Sequence, residues 1–300
     1  DSSTSRGLGD VYKRQVLGVL AGLEIVRTLN DLNIETKHPI MIVNWTNEEG
    51  SRFAPAMMAS AGYAGIYDIN TLLSAEDAEG NIFGNELEKI GWKGSEQVGK
   101  QKFHCYYELH IEQGPILETE EIDIGVVTHG QGLKWLEVKL SGIEQHTGTI
   151  PMHVRKDTSL AMSEIILAVN NIAIKNQPNA LGSVGHIEVS PNSRNVIAGQ
   201  SVFTIDFRSP DINKLEKMEN ELRLLAIDIC KKYKVEFDIT QIGGFDPVTF
   251  DTTCLKNIRD SAKKFGYSHK DIVSGAGHDA CWINSVCLLY TSDAADDLLC

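Results

Sequence analysis

Two adjacent carboxylates, Glu48 and Glu49, occupy a position in this sequence that suits catalysis. They follow the apolar run PIMIVNW, which predicts a buried strand of a mostly parallel sheet, and ligands of such sheets collect at the carboxyl ends of strands. Gly50 allows a tight turn there. One carboxylate can ligate a divalent metal while the other takes a proton from metal-bound water. The alternative for an adjacent acidic pair is a solvated turn.

His110 lies in the segment LHIEQG, which we predict to be the end of a strand. The alternation of a strand places His110 and Glu112 on one face. A histidine there is either a hydrogen-bonded core residue or, with Glu48 and Glu49 in the same domain, a metal ligand. Gln113 follows directly and is suited to bind a substrate carbonyl or carboxylate.

Two loops carry further candidates. His146 lies in SGIEQHTGTIPMHVRKD, a loop rich in Gly and Thr in which a histidine is either an incidental surface residue or functional. His278 lies with Gly275 in the Gly-rich segment SGAGHDA, which could hold a substrate carboxylate against backbone N–H groups.

Asn195 and Arg208 flank the predicted strand in NVIAGQSVFTIDFRS. An arginine near a strand end can bind a carboxylate through two parallel hydrogen bonds. The alternative is a salt bridge from Arg208 to Asp206 or Asp211.

The periodicity of the sequence predicts the elements that position these residues. A helix begins near Val16, the strand PIMIVNW follows, and AMMASAGYAG continues as a helix after the acidic loop. Residues 128–243 then read as strand, helix, strand, strand, helix, strand, with alternating strands that indicate an open-faced α+β sandwich. We therefore predict an α/β protein with a mostly parallel-sheet catalytic domain, residues 1–127 and 244–300, and an inserted domain over 128–243.

The composition excludes several classes of protein. The chain has 300 residues, a formal net charge of -13 and a pI near 5.1, and it lacks basic blocks with interleaved aromatic residues, so we expect no nucleic-acid partner. No apolar stretch approaches the ~20 residues that span a bilayer, and no secretory signal is evident, so we expect a cytoplasmic protein without a membrane partner. The six cysteines have no regular spacing and are expected to be reduced thiols.

Both ends of the sequence differ from the rest in their pattern of apolar residues. DSSTSRGLGDVYKRQ and CLLYTSDAADDLLC lack apolar periodicity and resemble translated sequencing-adapter sequence. We expect residues 1–15 and 287–300 to be artefacts and the chain to be a fragment of a longer protein.

Five segments in this order resemble one family: TNEEGSRFAP, LHIEQGPILE, HTGTIPMHVRKD, SRNVIAGQSVFTIDFRS and SGAGHDA. They are similar to the dinuclear-metal amidohydrolases that include N-carbamoyl-L-amino-acid hydrolases, β-ureidopropionase and allantoate amidohydrolase, within the aminoacylase and carboxypeptidase-like superfamily. The resemblance implies Glu48 as general base, with Glu49 and His110 each ligating one of two divalent metals, which could be zinc, manganese or cobalt. It also implies a homodimer through the inserted domain.

The resemblance assigns the remaining residues to the substrate. It implies that Gln113, His146, Asn195 and Arg208 bind the substrate, the last three in the active site of the other subunit. His146 would stabilise the oxyanion, and Arg208 would hold the substrate carboxylate. The expected reaction is hydrolysis of an N-carbamoyl amino acid to the amino acid, carbon dioxide and ammonia.

The sequence departs from the family pattern near both ends, where further metal ligands are expected. We therefore predict that this polypeptide binds metal weakly and is inactive. The alternatives are an allantoate amidohydrolase, an aminoacylase-like or aminopeptidase-like hydrolase, and a metal-free dimeric ligand-binding protein. The particular carbamoyl or ureido substrate is set by pocket shape rather than by these motifs.

Overall fold

The computed structural model describes residues 16–294, with side chains described up to residue 287. The chain divides into two compact units. The first combines the described residues up to 130 with those from 249 onward, and the second is continuous over 131–248. None of the helices in the described part of the chain has the length and apolarity needed to cross a membrane.

The first unit begins with short helices and two strands. In chain order the elements are α1 (Leu17–Asp31), α2 (Met58–Ala64), α3 (Ile69–Leu73), α4 (Phe83–Lys89), β1 (Cys105–Ile111), α5 (Ile116–Thr119) and β2 (Ile124–Gly130). The expected helices after Val16 and in AMMASAGYAG are confirmed as α1 and α2. A small core of Phe53, Met58, Leu72 and Phe83 packs α2 against α3 and α4.

The expected buried strand over residues 39–45 is wrong. These residues are neither helix nor strand, and Ile40 and Met41 are 47% and 53% exposed. An apolar, β-branched run becomes a strand only where a neighbouring strand pairs with its N–H and C=O groups. Among the described residues no strand pairs with this segment.

The second unit contains the elements β3 (Gly132–Ser141), β4 (Gln145–His146), a 3₁₀ turn (Met152–Val154), α6 (Thr158–Lys175), β5 (Leu181–Ser190), β6 (Val196–Ile197), β7 (Gln200–Ser209), α7 (Ile212–Tyr233) and β8 (Glu236–Phe245). The four long strands form an antiparallel sheet in the order β5–β7–β3–β8. This confirms the expected succession of strand, helix, strand, strand, helix, strand.

Alternation along β7 explains the packing of this unit. Phe203, Ile205 and Phe207 are fully buried and share one core with α6 and α7, while the intervening residues lie on the other face. The two helices begin at aspartates, Asp157 and Asp211, whose side chains accept backbone N–H groups of the first turn.

The chain then continues with β9 (Val248–Thr249), α8 (Thr252–Phe265), β10 (His269–Ser274), α9 (Asp279–Ile283) and β11 (Leu288–Ala294). The sheet of the first unit has the order β1–β11–β2–β10. Strand β11 is parallel to β1 and antiparallel to β2, and β10 is parallel to β2. We expect residues 287–300 to lie outside the fold, but the backbone of residues 288–294 forms a strand inside the sheet. Backbone pairing needs only N–H and C=O groups, so it does not depend on apolar periodicity.

Candidate active site

The loop that carries Glu48 and Glu49 folds back onto the start of α2. The Met57 N–H donates to the Glu48 carbonyl at 2.5 Å. Gly50 has φ +67°, and a Cβ at this position would lie 2.6 Å from the backbone N of Ala56, so only glycine fits. The closed loop leaves the Glu48 side chain half-buried and Glu49 exposed.

A hydrogen bond connects α2 to the first residue of α9. The Ser60 hydroxyl donates to the Met57 carbonyl at 3.0 Å and to the Asp279 carboxylate. Asp279 is only 4% exposed. His278, at 1% exposure, contacts the Ser274 hydroxyl through Nε2, whereas its buried Nδ1 has no hydrogen-bond partner among the described residues. The start of α9, after β10, thus places two ionisable groups, His278 and Asp279, in the interior of the first unit.

Strand β1 adds a row of polar side chains on one face. Tyr106, Glu108 and His110 alternate along the strand, so all three point to the same side. Glu108 accepts the Ala280 N–H at 2.9 Å and the Tyr106 hydroxyl at 3.3 Å. The Tyr106 oxygen in turn accepts the Trp45 indole N–H at 3.1 Å. Sequence reasoning missed Glu108, although its spacing of two from His110 was a usable signal.

The rings of His110 and His278 meet at this point. Their centroids are 4.4 Å apart and their planes are inclined at 71°. Nδ1 of His278 lies 3.8 Å from the Glu108 carboxylate. The structure therefore brings together the predicted residues His110 and His278. Glu108 lies beside His278, and Glu48 and Asp279 are close enough to interact electrostatically with it.

Burial shifts the pKa of every carboxyl group in this cluster upward. The pKa of Glu48 is raised to about 7, first by burial and then by the charges of Asp279 and Glu49. The pKa of Glu108 is raised to about 8 by burial and by Asp279, and that of Asp279 to about 6 by burial. Burial and the neighbouring His110 lower the pKa of His278 to about 3. The cluster can therefore gain or lose a proton near neutral pH.

Some of these residues have the chemistry of metal ligands. Carboxylates and imidazoles are suitable donors for zinc or manganese, and a protein site supplies at least three of them. Within residues 16–294 no group of three or more His, Cys, Asp or Glu side chains has an arrangement that could hold a metal ion. Glu49 and His110 have the right chemistry, but the described residues do not complete a metal site.

The expectation that Glu112 shares the face of His110 is wrong. Strand β1 ends at Ile111, and the Glu112 carboxylate turns to accept the N–H groups of Ile116 and Leu117 at 2.9 and 2.7 Å. Glu112 thus caps the N-terminus of α5. Gln113 follows in the left-handed region, at φ 53°, and is exposed, as is Gly275 in the loop after β10.

The remaining predicted residues lie in the second unit. His146 in β4 pairs with Val196 of β6, and the Thr147 N–H donates to the Asn195 carbonyl at 3.0 Å. His146 and Asn195 therefore lie close together, at the short antiparallel pairing of β4 with β6. Arg208 donates through Nε to both Asp206 oxygens at 3.1 Å and through Nη2 at 2.7 Å. The salt bridge to Asp206, one of the two alternatives for Arg208, is present.

The chain is similar to known hydrolases over nearly its whole length. Residues 14–295 match the sequence profile of Peptidase family M20/M25/M40. An N-carbamoyl-L-amino-acid amidohydrolase of Rhizobium meliloti is 55% identical over 271 residues, which cover 90% of this chain and 65% of that protein. A ureidoglycolate hydrolase of Arabidopsis thaliana is 31% identical and is covered to 58%.

A solved structure shows the same fold. The crystal structure of an amidase of the hydantoinase/carbamoylase family from Burkholderia multivorans superposes with a TM-score of 0.90 at 46% identity, covering 93% of this chain and 68% of that one. The chain spans 65% of the length of the Rhizobium meliloti relative. On the profile match and these similarities, the chain belongs to Peptidase family M20/M25/M40.

Proposed function

We propose that this chain carries the proton-transfer and substrate-binding groups of an amidohydrolase that cleaves the carbamoyl C–N bond of N-carbamoyl amino acids. One observation carries the proposal: Glu48 is half-buried beside other carboxylates, which raises its pKa to about 7. A general acid–base group works best when its pKa lies near the working pH. The 55% identity to an N-carbamoyl-L-amino-acid amidohydrolase supports this choice of substrate over allantoate, ureidoglycolate or peptides.

In the proposed reaction Glu48 takes a proton from the water that attacks the carbamoyl carbon. Glu48 then returns the proton to the departing nitrogen, so that the C–N bond breaks and the amino acid leaves; the carbamate loses ammonia as carbon dioxide forms. His146 donates a hydrogen bond to the oxyanion, and Arg208 binds the substrate carboxylate. Because Asp206 already pairs with Arg208, substrate must bind beside this carboxylate or displace it.

Gln113, Asn195, Gly275 and His278 complete the proposed substrate-binding set. Gln113 and Gly275 lie in exposed loops of the first unit. Asn195 lies beside His146 in the second unit. His278 is buried, so a role in binding would act through its backbone or through the ring of His110.

Glu49 and His110 are the proposed ligands, one for each of two divalent metal ions. The described residues do not complete either site, so no step of the reaction is assigned to a metal here. Zinc, manganese and cobalt all suit mixed imidazole and carboxylate donors.

We further propose that the second unit mediates a homodimer in the cytoplasm. Strand β5 is an edge strand, exposed along most of its length, and it leaves backbone groups available for pairing. Leu160, Leu167 and Ile174 form an exposed apolar row on the adjacent helix α6. The family resemblance implies that the dimer brings the substrate-binding residues of one chain to the catalytic residues of the other.

The function is tested with a chimera, because the chain spans only part of its relatives. Residues 16–286 replace the matching region of the Rhizobium meliloti enzyme, and hydrolysis of N-carbamoyl-, N-acetyl- and dipeptide substrates is compared. We expect turnover of the N-carbamoyl substrate, and a fall in kcat of roughly 10² to 10⁴ in Glu48→Gln. Glu118→Gln, at an exposed glutamate of the same unit, is the matched control. Preference for a peptide, or full activity of Glu48→Gln, would refute the proposal.

A further inference from the structure

Arg155 is tied to the backbone of the loop that carries His146. Its Nε donates to the Ile150 carbonyl at 3.0 Å, and its Nη2 donates to the carbonyls of Thr147 and Ile150 at 2.7 and 2.9 Å. The side chain is half-buried. The guanidinium therefore makes its hydrogen bonds with two carbonyls of one turn.

The turn holds itself together weakly without this side chain. Its internal backbone-to-backbone hydrogen bonds, from the N–H groups of Thr149 and Ile150 to the His146 carbonyl, are both 3.4 Å long. The bonds from Arg155 are shorter and carry a charge on the donor, so they are the stronger set. They fix the turn more firmly than its own backbone does.

The same turn determines which nitrogen of His146 carries a proton. The Gly148 N–H donates to Nδ1 of His146 at 3.1 Å. A backbone N–H is always a donor, so Nδ1 must be an unprotonated acceptor and the proton of the neutral ring lies on Nε2. His146 is exposed, so this Nε2–H can donate to a bound group.

Arg155 and His146 act on opposite ends of one peptide group. The Thr147 carbonyl and the Gly148 N–H belong to the same planar unit, in which C=O and N–H point in opposite directions. Arg155 binds the oxygen end and His146 binds the N–H end. If the oxygen end is released, the peptide plane can rotate and the N–H leaves Nδ1.

We propose that Arg155 is a positioning residue: it orients the Thr147–Gly148 peptide so that His146 presents the Nε2–H tautomer outward. The catalytic consequence rests on the proposed function, in which that proton is donated to an oxyanion. The orientation itself is a property of the second unit and does not depend on that function.

The test is a direct NMR measurement on the 300-residue chain labelled with ¹⁵N. The scalar coupling across the hydrogen bond between Gly148 N and His146 Nδ1 is measured, together with hydrogen exchange of the Gly148 amide. In Arg155→Lys, which lacks the planar fork, we expect the coupling to vanish and exchange to accelerate about tenfold, as for the loss of a charge-assisted hydrogen bond. Arg155→Gln keeps one amide donor and is the second variant should the lysine variant fail to fold.

Arg223→Lys is the matched control. Arg223 also lies half-buried in the second unit and also donates to a backbone carbonyl, that of Ile239, at 3.0 Å. We expect this variant to retain the Gly148–His146 coupling. A coupling that persists in Arg155→Lys, or that disappears equally in Arg223→Lys, would overturn the proposal.

A second test measures the kinetics of the chimera with the Rhizobium meliloti enzyme. Arg155→Lys should lower kcat more than tenfold while KM changes less than twofold, since the oxyanion forms only in the transition state. Equal losses in kcat with Arg223→Lys would count against a positioning role. An inactive chimera would refute the proposed function and leave the NMR result to decide the role of Arg155.

Discussion

Substitution of Glu108 most directly tests whether burial raises the pKa values of the three neighbouring carboxyl groups, Glu48, Glu108 and Asp279. The Glu108 side chain is 16% exposed, and the Ala280 N–H and the Tyr106 hydroxyl donate hydrogen bonds to its carboxylate. Glu108→Gln preserves shape and keeps an oxygen to accept the Ala280 N–H. The substitution therefore removes a titratable group with little change in packing.

The magnitude follows from the shift in pKa. The Glu108 pKa rises from 4.5 to about 8 on folding, so the folded protein binds a proton more tightly than the unfolded chain does. Stability is therefore greatest below the unfolded pKa and is lost as the pH rises from about 4.5 to about 8. One pKa unit is worth about 1.4 kcal/mol, so between pH 5 and pH 8 the free energy of unfolding falls by about 3.5 kcal/mol. The neighbouring Asp279 and Glu48 titrate in the same range, so this loss belongs to the cluster as a whole.

The assay is urea unfolding at several values of pH between 5 and 8. In a Trp135→Phe background the remaining tryptophans, Trp45, Trp92 and Trp282, all lie in the first unit, so fluorescence reports on the unit that contains Glu108. We expect Glu108→Gln to have a weaker pH dependence, with the remainder due to Glu48 and Asp279, and to be the more stable protein at pH 8. Glu118→Gln, at an exposed position, should follow the parent protein. Parallel curves for the parent and Glu108→Gln would refute the reasoning.

Four further outcomes are expected. Gly50→Ala should unfold at lower urea, because its Cβ would lie 2.6 Å from the Ala56 backbone and its φ is positive; Gly65→Ala, in open space with a similar φ, measures the cost of conformation alone. Phe203→Ala should destabilise the second unit by about 3–5 kcal/mol in urea unfolding, because the ring is fully buried. Gly148→Ala should weaken the Gly148–His146 coupling in the NMR measurement, because the added Cβ would lie 3.3 Å from His146 Cε1. The chain should bind zinc or manganese at less than one equivalent per site in equilibrium dialysis; tight, stoichiometric binding with turnover would contradict this.

Local sequence pattern predicted the second unit well. Strand β7 alternates buried and less buried residues along its whole length, and an aspartate caps the N-terminus of each helix, so local pattern and local structure agree in these elements. The same local signals failed at residues 39–45. An apolar run predicts burial, but a strand also needs a partner, and no local feature states whether one is present.

For the candidate site, too, some features could be predicted from the sequence and others could not. The sequence by itself offered Glu48, Glu49 and His110 as candidates, from their residue types and from their places after an apolar run and at a predicted strand end. Only the tertiary structure decided that Glu112 caps α5 and that Glu108 stands beside His278.

The physical reason is that residue type and short-range spacing are properties of the chain, whereas burial and charge neighbours are properties of the fold. Asp279 and Glu48 are 231 positions apart, and their interaction arises only when α2 and α9 pack together. Their raised pKa values, and the hydrogen bonds from Arg155 that orient the loop of His146, depend on distances that no sequence pattern contains.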